Sequence, residues 1–151
     1  MPIWIFSQIL KLLGYDLRNT QRQLDIIDEM TGREFEEYIS KLLKKNGFSQ
    51  VHLTQESVDY GVDIIAIYGD EIFAIQCKKY ATKLGNFSVQ EAFTGKNYYN
   101  ATQAAVLTNN YFSKNAYKLA ESNKVLLWDR DDLIDMIEYS FTIDNDDLDL
   151  G

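Results

Sequence analysis

DYGVDIIAIYGDEIFAIQCKKY, residues 59–80, holds two apolar runs, 62–68 and 71–79, separated by Gly69-Asp70. A two-residue connection with glycine first is a tight hairpin signal. The polar residues of the runs fall at the ends away from that turn: Asp63 opens the first, and Gln76 and Lys78 come late in the second. Side chains alternate along a strand, so Gln76 and Lys78 share one face while Ile75 and Cys77 share the other. Antiparallel pairing returns Asp63 to the neighbourhood of Gln76 and Lys78. A carboxylate, a carboxamide and an ammonium therefore converge at one end of an otherwise apolar hairpin.

Two explanations of that convergence stand side by side. One is a buried Asp63–Lys78 ion pair, although desolvation makes such a pair a weak stabilising device. The other is a site for a hard cation held by oxygen, with the lysine steering a nucleophile or countering developing negative charge.

Outward from the hairpin, the chain alternates helix and strand. Upstream, residues 26–46 read as one helix, with Thr31 and Glu34 as a capping box and Phe35, Ile39, Leu42 and Leu43 as its apolar stripe. Gly47 ends it. Residues 50–55 follow as a strand with Val51 and Leu53 inward and the lone His52 outward. A loop at 56–60, containing Asp59, delivers the chain to Gly61, where a missing side chain lets backbone approach closely. Downstream, Gly85-Asn86 breaks the chain before a helix over 88–100 that buries Val89, Ala92 and Phe93. QAAVLT at 103–108 is a short continuous apolar run, as in a strand covered on both faces. A helix over 113–122, a strand over 125–128 and a helix from 129 to about 139 complete the pattern. Crossovers of this kind add parallel strands to the antiparallel hairpin, predicting an α/β fold with a mixed sheet between helices.

The chain of 151 residues, 46% hydrophobic, is long enough for one domain with a real core. Its single cysteine, Cys77, permits no internal disulfide and fits a reducing, cytoplasmic setting. The net charge of -8 is localised: eight acidic residues follow Arg130, where no Lys or Arg occurs, and the remainder is balanced. Residues 140–151 read as an acidic tail, disordered or engaged with a basic partner. Residues 1–24 divide into an apolar helix, with Ile3, Phe6, Ile9, Leu10 and Leu13 at helical spacing, and a polar stretch that is a connector or a helix extension. That helix is too short for a stable membrane span and has no secretory leader features. Packing on the domain, or a homodimer contact, is its expected role.

Gly61-Val62-Asp63, then Gln76-Cys77-Lys78, with Gly32-Arg33-Glu34-Phe35-Glu36 upstream, resembles the Mrr-type restriction endonuclease domain of the PD-(D/E)xK nuclease superfamily. The resemblance extends to Val89-Gln90-Glu91, Val106-Leu107-Thr108-Asn109 and Phe112-Ser113, and places a domain at 25–139. It implies a restriction-endonuclease-like three-layer α/β/α fold and a DNA-cleaving hydrolase using Mg²⁺, with Mn²⁺ as an alternative. By the same resemblance Asp63, Gln76 and Glu36 would hold the metal, and Lys78 and Gln90 would position the attacking water or stabilise charge. The superfamily more often carries a carboxylate where Gln76 stands; glutamine marks the Mrr branch. Lys79, Lys83 and Lys96 follow the hairpin where a DNA backbone would lie. Two other readings are a non-catalytic DNA- or protein-binding module on the same fold, and a nuclease selective for branched DNA.

Overall fold

The structure, a computed structural model, describes residues 18–149 except 56–60, together with the isolated positions 5, 8, 9 and 12. The N-terminal apolar helix, its dimer contact and Asp59 lie outside the described residues.

Two helices precede the sheet, α1 (Arg18–Asp28) and α2 (Gly32–Lys45). The single helix expected over 26–46 is thus divided, and the polar stretch before Leu24 is helical, the second of the two readings given for it. The capping box explains the division. Thr31 sits in the extended region, its hydroxyl accepting from Glu34 N while its own N–H donates to the Glu34 carboxylate. An N-cap residue in that conformation cannot also continue a preceding helix. At the other end of α2, Phe48 N donates to Leu43 O and Gly47 N to Lys44 O, with Gly47 at φ +92°. This is the Schellman closure that glycine permits at low cost.

Strands β1 (Ser49–Leu53), β2 (Ile64–Tyr68), β3 (Glu71–Lys78), β4 (Gln103–Thr108) and β5 (Val125–Trp128) lie in chain order across one sheet. β1, β2 and β3 pair antiparallel, and β3, β4 and β5 pair parallel. The hairpin forms as read: Tyr68 pairs with Glu71, and Gly69 alone of the two turn residues takes positive φ. Helices α3 (Asn86–Tyr98) and α4 (Lys114–Asn123) carry the two parallel crossovers, and α5 (Arg130–Asp149) follows β5.

Helices cover both faces. On one side Ile27, Phe35, Ile39, Leu43, Leu133 and Ile137 from α1, α2 and α5 pack on Ile64, Ile75, Cys77 and Leu107. On the other, Val89, Ala92, Ala116 and Ala120 from α3 and α4 pack on Ala104 and Val106. The result is the three-layer α/β/α architecture with a central mixed sheet. Truncating one of the large buried residues costs about 2–5 kcal/mol in such a core.

Two expectations are corrected. Phe93 is exposed, because α3 meets the sheet through Ser88, Val89, Ala92 and Gly95, a stripe of small residues that leaves no room beneath for a ring. The acidic segment, expected to be disordered or engaged with a basic partner, is helical: α5 runs on to Asp149, and Asp144 pairs with Lys45 of α2 at 2.8 Å.

Candidate active site

Asp63 stands one residue before β2. Its N–H donates to Ile75 O at 2.9 Å, and its own carbonyl accepts from Thr54 N at 2.9 Å. Its carboxylate takes over as acceptor, receiving the Cys77 N–H at Oδ2 over 2.7 Å. The acid is thereby fixed between Gln76 and Lys78 in the chain of β3. Charge-assisted bonds of this length are among the stronger ones in proteins.

Gln76 is 1% exposed, and neither end of its carboxamide has a hydrogen-bond partner among the described residues. Native interiors seldom leave such groups unsatisfied without a reason. Gly61, at φ +81°, explains how the amide is accommodated. A Cβ there would lie 2.8 Å from Gln76 Nε2 and 2.9 Å from Glu91 Oε2. Only glycine leaves that space.

Lys78 lies on the same face as Gln76 and meets α3. Its Nζ is 3.3 Å from Glu91 Oε1, an ion pair of half-buried side chains, and 5.8 Å from the centre of the Tyr80 ring. Glu36, on α2, accepts from Arg33 Nη1 at 3.2 Å and is 19% exposed. Burial first, and then the Asp63 and Glu36 carboxylates, push the Cys77 thiol well above its ordinary range. Both acids therefore lie near enough to β3 for their charges to act on its Cys77 thiol. Cys77 itself points into the core and is shielded from nucleophilic use.

The remaining expected residues are more dispersed. Gln90 is exposed and lines an open groove with Gly61, Phe87, Glu91 and Thr94. Lys79 turns away from Lys78 into a separate cleft of about 310 Å³ with Asp28, Tyr80, Asn109 and Arg130. Lys83 is exposed in the segment before α3, and Lys96 lies in the last turn of that helix.

Glu91 was not expected as a site residue, although a signal existed. Ser88 and Gly95 are buried on α3, and position 91 falls three residues after one and four before the other. The helical period therefore turns Glu91, rather than Gln90, toward the sheet.

A further polar cluster lies in the separate cleft. Arg130 grips Asp28 through two bonds of 2.9 and 3.0 Å and donates to Asn109 O at 2.8 Å. The Asn109 side chain donates to Asp28 at 3.0 Å and accepts from Tyr80 N at 2.8 Å. These bonds tie α1, the end of β4, the start of α5 and the segment after β3.

A divalent cation suits the donors near β3. Asp63, Glu36 and the orphaned Gln76 oxygen are hard oxygen ligands of the kind Mg²⁺ and Mn²⁺ take. Among the described residues no three His, Cys, Asp or Glu side chains form a complete cage. Mg²⁺ sites commonly use one or two carboxylates and leave other positions to water and substrate phosphate.

The family model described as restriction endonuclease, Mrr_cat, matches residues 27–137. The chain belongs to this Mrr-type restriction endonuclease family. Among solved structures, the modification-dependent restriction endonuclease AspBHI is similar at 17% identity, with TM-score 0.62 and coverage of 82% of this chain and 36% of that one. A protein of unknown function, AF1548, gives 21% identity and TM-score 0.55 over 62% of this chain and 55% of that one. Can2 from Sulfobacillus thermosulfidooxidans, solved with cyclic tetra-adenylate, gives 17% identity and TM-score 0.53 over 74% and 35%. At these identities the likeness is one of fold, and the Mrr-type chain spans 55% or less of each of these three structures. No curated protein matches it. Among the described residues, no helix is long and apolar enough to cross a membrane.

Proposed function

We propose that this Mrr-type domain is a divalent-cation-dependent endonuclease that hydrolyses phosphodiester bonds in DNA. The observation that carries the reading is the pairing of a fixed Asp63 carboxylate with a buried, unsatisfied Gln76 carboxamide on the strand that also presents Lys78. Family membership supports the DNA-cleaving class of activity.

Asp63 and the Gln76 oxygen would hold the cation, with Glu36 contributing from α2. Such a cation, held there, would supply Lewis-acid polarisation of the phosphate and a lowered pKa for the water that displaces the leaving oxygen from phosphorus. Lys78 presents its ammonium to the charge that develops on the phosphate, the preorganised electrostatic role that contributes most to many enzymes. Gln90, at the groove beside Glu91, is placed to orient the water or substrate. Lys79, Lys83 and Lys96 would meet the DNA backbone through charge alone, giving binding that weakens with salt. The domain would act in the cytoplasm, and Mn²⁺ would substitute for Mg²⁺.

The test is plasmid nicking with Mg²⁺ or Mn²⁺, on plain, methylated and branched DNA in parallel. Cleavage by the wild type, abolished in both Asp63→Asn and Lys78→Ala, is the expected result. Unchanged cleavage in both variants removes the mechanism. The neutral Gln76 and the incomplete cage favour a second reading, a DNA-binding module without catalysis. Calorimetric titration separates them: the module predicts no heat with Mg²⁺ that depends on Asp63.

A further inference from the structure

Lys78 is the one candidate site residue of β3 whose side chain is long and flexible. An ammonium on a four-carbon stem has no fixed direction of its own. Here it is bracketed, with the Tyr80 ring at 5.8 Å and Glu91 Oε1 at 3.3 Å. Both side chains of the ion pair are mostly covered, Lys78 at 20% and Glu91 at 23% exposure, so water screens it less than a pair in open solvent.

The second carboxylate oxygen of Glu91 has its own neighbour. Oε2 and Gln76 Nε2 both crowd the point where a Gly61 Cβ would lie, at 2.9 and 2.8 Å. No hydrogen bond joins the two groups, so the Oε2 charge acts on the Nε2 end of Gln76 through space alone. The carboxamide oxygen is then turned to the opposite side. One acid on α3 thus touches the lysine with one oxygen and biases the glutamine with the other.

We propose that Glu91 is a positioning residue for the reaction, holding the Lys78 ammonium by its ion pair and biasing the Gln76 carboxamide by its charge. It acts through these two residues and is not itself a ligand or a base. The inference rests on the nuclease reading and deepens it. It also accounts for the backbone at Gly61, since any larger residue would displace both groups that Glu91 aligns.

Glu91→Gln keeps the shape of the side chain and removes its charge. Two measurements on the full chain decide the matter. In ¹⁵N–¹H spectra of the lysine ammonium groups, a paired and partly covered ammonium gives a signal that a solvated one loses to exchange. The Lys78 signal, assigned by its absence in Lys78→Ala, is expected in the wild type and lost in Glu91→Gln. In steady-state nicking, Glu91→Gln should lower kcat by about tenfold or more while KM for DNA stays within about twofold, the pattern of an interaction used in the transition state. A Lys78 ammonium signal absent from the wild type or retained in Glu91→Gln overturns the proposal, and so does a wild-type kcat in Glu91→Gln. If the wild type cleaves nothing, the nuclease reading fails, and the role assigned to Glu91 falls with it. The ammonium spectra would then still report whether the Lys78–Glu91 pair exists.

Discussion

The Asp63 carboxylate accepts the backbone N–H of Cys77 at 2.7 Å, so a side chain completes the β3 ladder where the β2 backbone leaves it. Structure and chemistry therefore ask different things of this residue, and two substitutions separate them. Asp63→Asn keeps an acceptor oxygen and should unfold in urea close to the wild type. Asp63→Ala leaves the Cys77 amide unpaired and should cost about 1–3 kcal/mol. Both should lower Mg²⁺-dependent nicking by about 100-fold or more.

Gly61→Ala combines a positive φ with two close approaches, to Gln76 Nε2 and Glu91 Oε2. A residue with a Cβ at such a φ destabilises by about 1 kcal/mol or more. Urea unfolding should show that loss. Nicking should fall beyond what the loss of folded protein explains.

Gln76→Glu would place a second carboxylate at the space beside Gly61 that Glu91 Oε2 also borders. Like charges at that range disfavour joint ionisation. The metal-free variant should melt below the wild type, and Mg²⁺ should recover more of its melting temperature than it adds to the wild type. Equal melting shifts would remove this account of why the position is neutral.

Asp28 is held below the ordinary carboxylate range by its bonds to Arg130, then Asn109, against the opposing effect of burial. A depressed acid contributes stability above its unfolded pKa and loses it as pH falls through the folded one. Arg130→Met should therefore cost about 1–3 kcal/mol near neutral pH, discounted for the partial exposure of the pair. That cost should shrink in acid, measured by urea unfolding across pH.

Asp132 behaves in the opposite sense. Burial, opposed by the bond from Asp129 N and reinforced by the charges of Asp129 and Asp135, raises it from 3.8 to about 6. Its contribution is present below 3.8 and lost as pH rises through about 6. Asp132→Asn retains an acceptor for Asp129 N and should stabilise the fold by about 1 kcal/mol above neutrality, after allowance for solvent. Near pH 4, roughly the model-peptide carboxylate value, the difference should vanish.

The sheet was legible wherever a local rule acts alone. β4 and β5 begin and end where their apolar runs do, and the β2–β3 turn follows from glycine at its first position. The three residues at the polar end of that hairpin followed from strand alternation. Elements governed by contacts elsewhere were less legible. α1 shows a polar sequence because, among the described residues, Leu24 and Ile27 are its only buried apolar side chains. The Asp28–Arg130 pair joins positions 102 residues apart, which no local pattern marks. Glu91 was obscured by its neighbour Gln90: one residue along a helix is a rotation of about 100°, enough to separate groove from interior.

The connection at Gly69-Asp70 lies at the opposite end of β2 and β3 from Asp63, Gln76 and Lys78. Side chains repeat every second residue, so a one-residue slip in that connection would exchange the faces of β3. Cys77 would then replace Gln76 and Lys78 opposite α3, and both polar groups would be driven into the layer now filled by Ile75 and Leu107. The chemistry available at one end of the hairpin is thus set by the length of the loop at the other.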